Sequence, residues 1–223
     1  MGSFAMVAAM IVGTILLMAV IFIRTRIREK KRTENLRAIA AELSFGFAEG
    51  DERLLAHLGE FPLFSKGSDR KMNNVLQGTS SDTEVSLFDY RYTTSNGKNS
   101  QIHRQTAVCF RSKRLDLPNF TLQPESWFHK IGTMLGYQDI DFADYPEFSR
   151  KYLLRGDDEE SVRDLFTAAT IEQLDGQTGI CLEGRGNWLI VYRAGKRAKP
   201  MEVQDFLATG FDVYAAFAHE SVT

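Results

Sequence analysis

The stretch from Phe4 to Ile23, FAMVAAMIVGTILLMAVIFI, constrains this chain more than any other. It is twenty residues without a charge, followed at once by Arg24, Arg26, Arg28, Lys30, Lys31 and Arg32. At about 1.5 Å per helical residue the run spans the roughly 30 Å of a bilayer's hydrocarbon core, where a helix satisfies its own backbone hydrogen bonds in the absence of water. A cleaved signal peptide would need positive charge before a shorter apolar core and a small-residue cleavage site after it; here the basic residues come after the run. The spacing predicts one transmembrane helix over 4–23, with residues 1–3 as a very short extracytoplasmic end. Because Lys- and Arg-rich flanks stay on the cytoplasmic side, everything after the collar is expected in the cytoplasm.

The collar carries a second expectation. A cationic surface beside a bilayer attracts anionic headgroups, so Arg24, Arg26, Arg28, Lys30, Lys31 and Arg32 are candidate lipid contacts as well as topology signals. Within the anchor, Ala5, Ala9 and Gly13 recur at four-residue intervals on one helix face, a spacing that lets two anchors approach closely as a homodimer. An Ala-rich helix also places small residues this way by chance.

From Arg24 to Leu43 there is no Pro or Gly, and Leu36, Ile39, Ala40 and Leu43 fall at helical spacing. Residues 24–44 thus read as a basic juxtamembrane stem continuing the anchor, its apolar stripe docked on the domain beyond it. Residues 45–223 are expected to form that domain, in the cytoplasm, with a sub-boundary left open near 112–124.

Charge divides with the same boundary. Residues 24–37 hold seven basic side chains against two acidic, and residues 38–223 hold 20 against 27. An acidic domain is a poor nucleic-acid binder, since that affinity comes chiefly from neutralising phosphates. Cys109 and Cys181 each sit in apolar surroundings and read as buried thiols.

Along the domain, a short helix is predicted over 51–58. Strands are predicted at Leu63–Lys66 and Asn73–Gly78, then a hairpin of Glu84–Thr94 and Gln101–Arg111 about Ser95-Asn96-Gly97-Lys98. Phe88, Tyr90 and Tyr92 share one strand face, more simply core than a stacking platform for a ligand. After Pro124 a helix is expected from Glu125 to about Leu135. Short strands at Ile140–Phe142 and Arg150–Leu154 then flank a turn at Tyr145-Pro146-Glu147-Phe148. One helix, capped by Asp157 with Glu160 completing the box, carries Val162, Leu165, Phe166, Ala169 and Leu174 and ends at Gly176. A second hairpin turns at Gly184-Arg185-Gly186-Asn187, and Pro200 opens a last amphipathic helix, with Gly210 a close-packing or weakening point. Blocks of strands and helices without strict alternation argue for α+β with antiparallel hairpins and packed helices.

Chemistry is sparse. His57, His103, His129 and His219 lack ligand partners at zinc spacing, and neither a nucleophile elbow nor a phosphate-binding glycine loop is present. No metal or cofactor is expected. Asp139, Asp141, Asp144 and Glu147 place four carboxylates in nine residues, enough oxygens for a cation or an acidic catalytic site, although a solvated acidic turn explains them as well.

The run PEFSRKYLLRGDDEESVRDLF, the ICLEGRGNWLIVYR hairpin and the FDYRYTTSNGKN hairpin resemble segments of uncharacterised bacterial membrane-anchored proteins grouped as domains of unknown function. The resemblance implies a single-pass protein of the bacterial inner membrane and supplies no catalytic residues. A non-enzymatic interaction or scaffolding domain with a protein partner is the favoured expectation. The alternatives are a membrane-tethered hydrolase using the acidic residues at 139–147 and, more weakly, anionic-lipid binding by the stem.

Overall fold

A computed structural model describes residues 2–80, 82–95, 97, 99–126 and 139–218, without the side chains of residues 2–5 and 7–9. Helix α1 runs unbroken from Gly2 to Glu42, about 60 Å at 1.5 Å per residue. It is the one described helix long and apolar enough to cross a membrane. Its side chains from Met10 to Ile23 stand exposed, but past the collar the predicted stripe docks: Leu36 and Ala40 are fully buried, and Ile39 and Leu43 pack against the same core. The helix ends at Ser44, which takes the left-handed φ of 57° so that the Phe45 N–H reaches the Ala40 carbonyl at 2.8 Å.

The rest of the molecule is α+β, built on one antiparallel eight-stranded sheet ordered β1-β2-β3-β4-β8-β7-β5-β6. The strands are β1 (Gly46–Ala48), β2 (Ser68–Ser80), β3 (Thr83–Ser95), β4 (Ser100–Ser112), β5 (Leu117–Pro124), β6 (Tyr152–Gly156), β7 (Cys181–Gly186) and β8 (Trp188–Tyr192). Both predicted hairpins belong to this sheet, joined where β4 pairs with β8. The stretch 112–124 passes directly into β5 of the same sheet.

Both faces of the sheet are covered. On one lie the stem of α1, α4 (Pro146–Lys151), α5 (Glu159–Leu165), α6 (Ala168–Asp175) and α7 (Val203–Phe217), closing over Leu87, Val108, Phe110, Leu122 and Val191. On the other, α2 (Glu52–His57) and α3 (Pro62–Ser65) close over Phe88, Tyr90, Tyr92, Cys109, Cys181 and Tyr192. The aromatic stripe is therefore core. Alternate residues of β4, such as Val108 and Cys109, serve opposite cores, as the two-residue period of a strand requires. Both cysteines are free and buried, and burial pushes the Cys181 thiol up to about 12.

Several local expectations are corrected. The strand expected at Leu63–Lys66 is instead a helix through Ser65, because Pro62 opens α3, and the expected turn at 145–148 is the start of α4, opened by Pro146; proline at N1 has no hydrogen bond to lose. Ile140–Phe142 forms no strand, although the Ile140 N–H does reach the Leu154 carbonyl on β6. The long helix after Gly156 is two: Asp158, not Asp157, caps α5, and Thr167 caps α6 after a break at Phe166. The helix expected from Glu125 to Leu135 lies beyond Ser126 outside the described residues. So do Asn96 and Lys98 of the first turn, His129 and His219.

The second hairpin turns later than expected. Gly184 is within β7, and its turn falls at Gly186, with φ 55°, and Asn187. Gly184 is a glycine because the ring of its cross-strand neighbour Phe120 lies over it; an added Cβ would stand 2.1 Å from that ring. Phe120 is fixed in turn by edge-on contact with Phe166 at 5.2 Å. Gly184→Ala should therefore lower stability by about 1–3 kcal/mol through overpacking, read by denaturant unfolding; an unchanged midpoint would show that the ring can move aside. Gly210 is likewise a close-packing point, where α7 comes down on Phe110 and Val108.

Candidate functional site

The junction of α1 with the sheet is the most polar buried structure in the described molecule. Arg32 is only 7% exposed. Its Nε and Nη2 donate to the two Asp89 carboxylate oxygens on β3, both at 2.7 Å, and its Nη1 donates to the Ala198 carbonyl at 2.7 Å. Asp89 also accepts from Asn74 Nδ2 at 3.0 Å and from the Thr106 hydroxyl at 3.0 Å. The Ala198 N–H donates to that same hydroxyl at 3.0 Å. One planar fork thus ties α1 to β3 and to the segment after β8, and through Asp89 to β2 and β4, and the carboxylate's lone pairs are filled.

Local folding places each group. Asn74 sits where β2 slips register, with the left-handed φ of 52° that Asn tolerates, which turns its amide toward Asp89 while its Oδ1 accepts from Thr33 on α1. One turn nearer the N-terminus of α1, Glu29 takes both Nη atoms of Arg197 at 2.8 and 2.9 Å. The Arg197 guanidinium holds the Glu29 carboxyl below its usual range, against partial burial, with Arg32 and Arg104 adding to the effect.

On the N-terminal side of this clamp lies an open cavity of about 700 Å³ between α1 and the sheet. Phe22, Arg26, Glu29, Lys30 and Thr33 of α1 form one wall, and residues of β2, β3 and β4 form the other. Of the collar residues, Arg26 and Lys30 face the cavity, Arg32 is buried in the clamp, and Arg24, Arg28 and Lys31 are exposed away from the lining. The collar is therefore three groups with different surroundings. What distinguished Arg32 in the sequence was its spacing, four and eight residues before the buried Leu36 and Ala40.

Asp139, Asp141, Asp144 and Glu147 are all exposed. Asp139 accepts the Leu154 N–H, partial burial raises its pKa and Asp141 raises it further, and Glu147 pairs with Arg150. Among the described residues no three His, Cys, Asp or Glu side chains gather closely enough to hold a metal ion. Gly13 has open space around it, and the side chains of Ala5 and Ala9 lie outside the described set.

A buried acid escaped sequence reasoning altogether. Glu183 on β7 has no exposed surface. It accepts the Leu63 N–H at 3.1 Å and the Tyr192 hydroxyl at 2.9 Å, and burial pushes its pKa up to about 7. Its position two residues from the buried Cys181, on the same strand face, was the available signal.

These features define an α+β protein on a single antiparallel sheet, clamped to a long apolar N-terminal helix. A solved structure of this fold is that of the mycobacterial trehalose monomycolate transport factor A, TtfA, with a TM-score of 0.61, 11% sequence identity, and coverage of 83% of this chain and 93% of that one. At that identity the likeness is one of fold. No family model matches the chain, and no curated protein sequence does.

Proposed function

We propose that the chain is a single-pass protein of the bacterial inner membrane, anchored by residues 4–23, with residues 45–223 in the cytoplasm as an interaction or scaffolding domain for a membrane-associated assembly. The observation that carries this reading is the unbroken helix Gly2–Glu42 fastened by the Arg32–Asp89 fork. A tethered enzyme acting on soluble substrate is served by a flexible linker. A helix clamped at its far end instead holds one face of the domain at a set height and angle above the bilayer, a property useful to a docking platform. The resemblance in fold to a protein named as a transport factor supports the same class of role. The positive collar supports the cytoplasmic placement.

Inserting a short Gly-Ser segment after Ile27 keeps the anchor and the clamp but uncouples their orientations. On native gels of gently solubilised membranes the wild-type chain should migrate in an assembly larger than itself, and the insertion should release it. Migration of the wild-type chain alone, or an insertion that leaves the assembly intact, would contradict the reading. A reporter fused after Thr223 should be active in the cytoplasm.

A further inference from the structure

The cavity beside the clamp has an electrostatic construction that folding alone does not explain. Lys71 on β2 is directly opposite Arg91 on β3, and Arg91 is directly opposite Arg104 on β4. Three cations thus form one rung across three strands, on the face that receives α1. Like charges directly opposite one another on a sheet destabilise it. From the other wall, α1 adds Arg26 and Lys30 to the same space.

The carboxylates nearby offset this group only in part, Glu29 acting on Arg104 without pairing with it. Glu29 is held by Arg197, Asp89 by Arg32, and Glu49 pairs with Arg37, which points elsewhere. Asp69 reaches Arg91 at 3.1 Å and Lys71 at 3.8 Å, one acid against two cations. Among the described residues Arg26, Lys30 and Arg104 form no salt bridge; Arg26 lies instead over the Phe22 ring at 5.1 Å. An arrangement that costs stability when empty and gains it with an anion is a binding site's arrangement.

Location narrows the anion. Phe22 belongs to the apolar run and lines the cavity, and Arg26 is one helical turn further on. Leu36 and Leu87 belong to one core, Arg32 meets Asp89, and Arg26 shares the cavity with Arg91. The sheet therefore runs alongside α1 toward its apolar run, which on the proposed membrane reading sets the cavity at the depth of the headgroups. We propose that this cavity holds the phosphate of an anionic phospholipid from the leaflet that the anchor crosses, with Arg26, Lys30, Lys71, Arg91 and Arg104 around the phosphate and Phe22 beside the glycerol end. At about 700 Å³ it has room for a headgroup. The inference rests on the membrane reading above, and it turns a diffuse cationic collar into a shaped site whose principal residues come from the sheet.

The test uses the full chain in neutral detergent micelles, titrated with phosphatidylglycerol or phosphatidylcholine doped into the micelles and followed by thermal unfolding and calorimetry. Phosphatidylglycerol should raise the midpoint more than phosphatidylcholine does. Lys71→Gln with Arg104→Gln should weaken the phosphatidylglycerol response about tenfold or more. Without lipid, the same pair should unfold no earlier than wild type, because it relieves repulsion; a merely structural role predicts earlier unfolding. A collar acting by charge alone predicts an equal loss from Arg24→Gln with Arg28→Gln, and that equality, or no preference for the anionic lipid, would overturn the proposal. Saturation by glycerol 3-phosphate or inorganic phosphate at concentrations as low as the lipid's would assign the site to a soluble phosphate and overturn the lipid source. A wild-type chain that stays in carbonate-washed membranes but ignores phosphatidylglycerol loses this site alone, whereas one that washes off loses the anchor and the site together.

Discussion

Replacing Arg32 with alanine should cost the folded chain about 3–5 kcal/mol, the usual penalty for removing one partner of a buried ion pair. The loss is large because Asp89 stays where it is. Its carboxylate, enclosed by α1 and the sheet, would keep only the Asn74 amide and the Thr106 hydroxyl, and the Ala198 carbonyl would lose its donor. Arg32→Lys should recover part of the loss, since an ammonium restores charge but cannot reach both carboxylate oxygens and the carbonyl as a planar fork does. Arg37→Ala is the contrast on the same helix. It breaks the exposed pair with Glu49 at 3.1 Å and should cost no more than about 1 kcal/mol. Urea unfolding of the micelle-held chain, followed by far-UV circular dichroism, separates the cases; equal losses at positions 32 and 37 would mean that the Arg32 fork is no stronger than an exposed ion pair.

The second large effect depends on pH and is set at Glu183. Its folded pKa of about 7 lies above the 4.5 of an unperturbed glutamate, because burial disfavours the charged form more than the Leu63 N–H, the Lys66 charge and the Tyr192 hydroxyl favour it. Between those values the folded state binds the extra proton, so the stability that this group contributes is present in full below about pH 4.5 and is lost as pH rises to about 7. Integrated over that window the loss is on the order of 3 kcal/mol. Glu183→Gln keeps an acceptor for Leu63 and a polar partner for Tyr192 but cannot ionise. The wild-type stability minus the variant's should therefore fall by that amount between about pH 4 and pH 8. Taking the difference cancels Glu29, Asp158 and Glu202, whose lowered pKa values act in the opposite direction at acid pH. A pH-independent difference would mean that Glu183 stays charged, or stays neutral, throughout.

The parts of the fold legible in the sequence were those written in period and punctuation. Alternation and Asn-Gly marked the β3–β4 hairpin, and the spacing of Leu36, Ile39, Ala40 and Leu43 marked the docked stem. The errors share a cause. Pro62 and Pro146 look like breaks in the sequence, yet each starts a short helix, and only tertiary packing of Phe64 and Phe148 tells a proline that opens a helix from one that ends a strand. The stripe from Val162 to Leu174 looked continuous because a break that retains the period leaves the apolar face unchanged; Thr167 was its one local mark.

The candidate site was less legible for a different reason. Arg32 lay in a run of cations whose positions look equivalent in one dimension, and Asp89 was a single acid inside an aromatic strand. Only the register that sets α1 against β3 pairs them. The rung of Lys71, Arg91 and Arg104 is invisible in sequence because its members are 20 and 13 residues apart, and strand pairing alone makes them neighbours. The acidic residues at 139–147 were conspicuous by proximity in the chain, yet all four stand exposed.

On the proposed reading, the helix in the bilayer and the sheet beyond it move as one body. This coupling can be measured directly with spin labels at Ile15→Cys, exposed on the apolar run of α1, and Ala208→Cys, exposed on α7, in the full chain in lipid nanodiscs; Cys109 and Cys181 are buried and resist labelling. Pulsed dipolar spectroscopy should give a single narrow distance distribution that broadens when Arg32 is replaced by alanine. A distribution already broad in the otherwise unaltered chain would contradict a rigid junction, and with it the docking-platform reading.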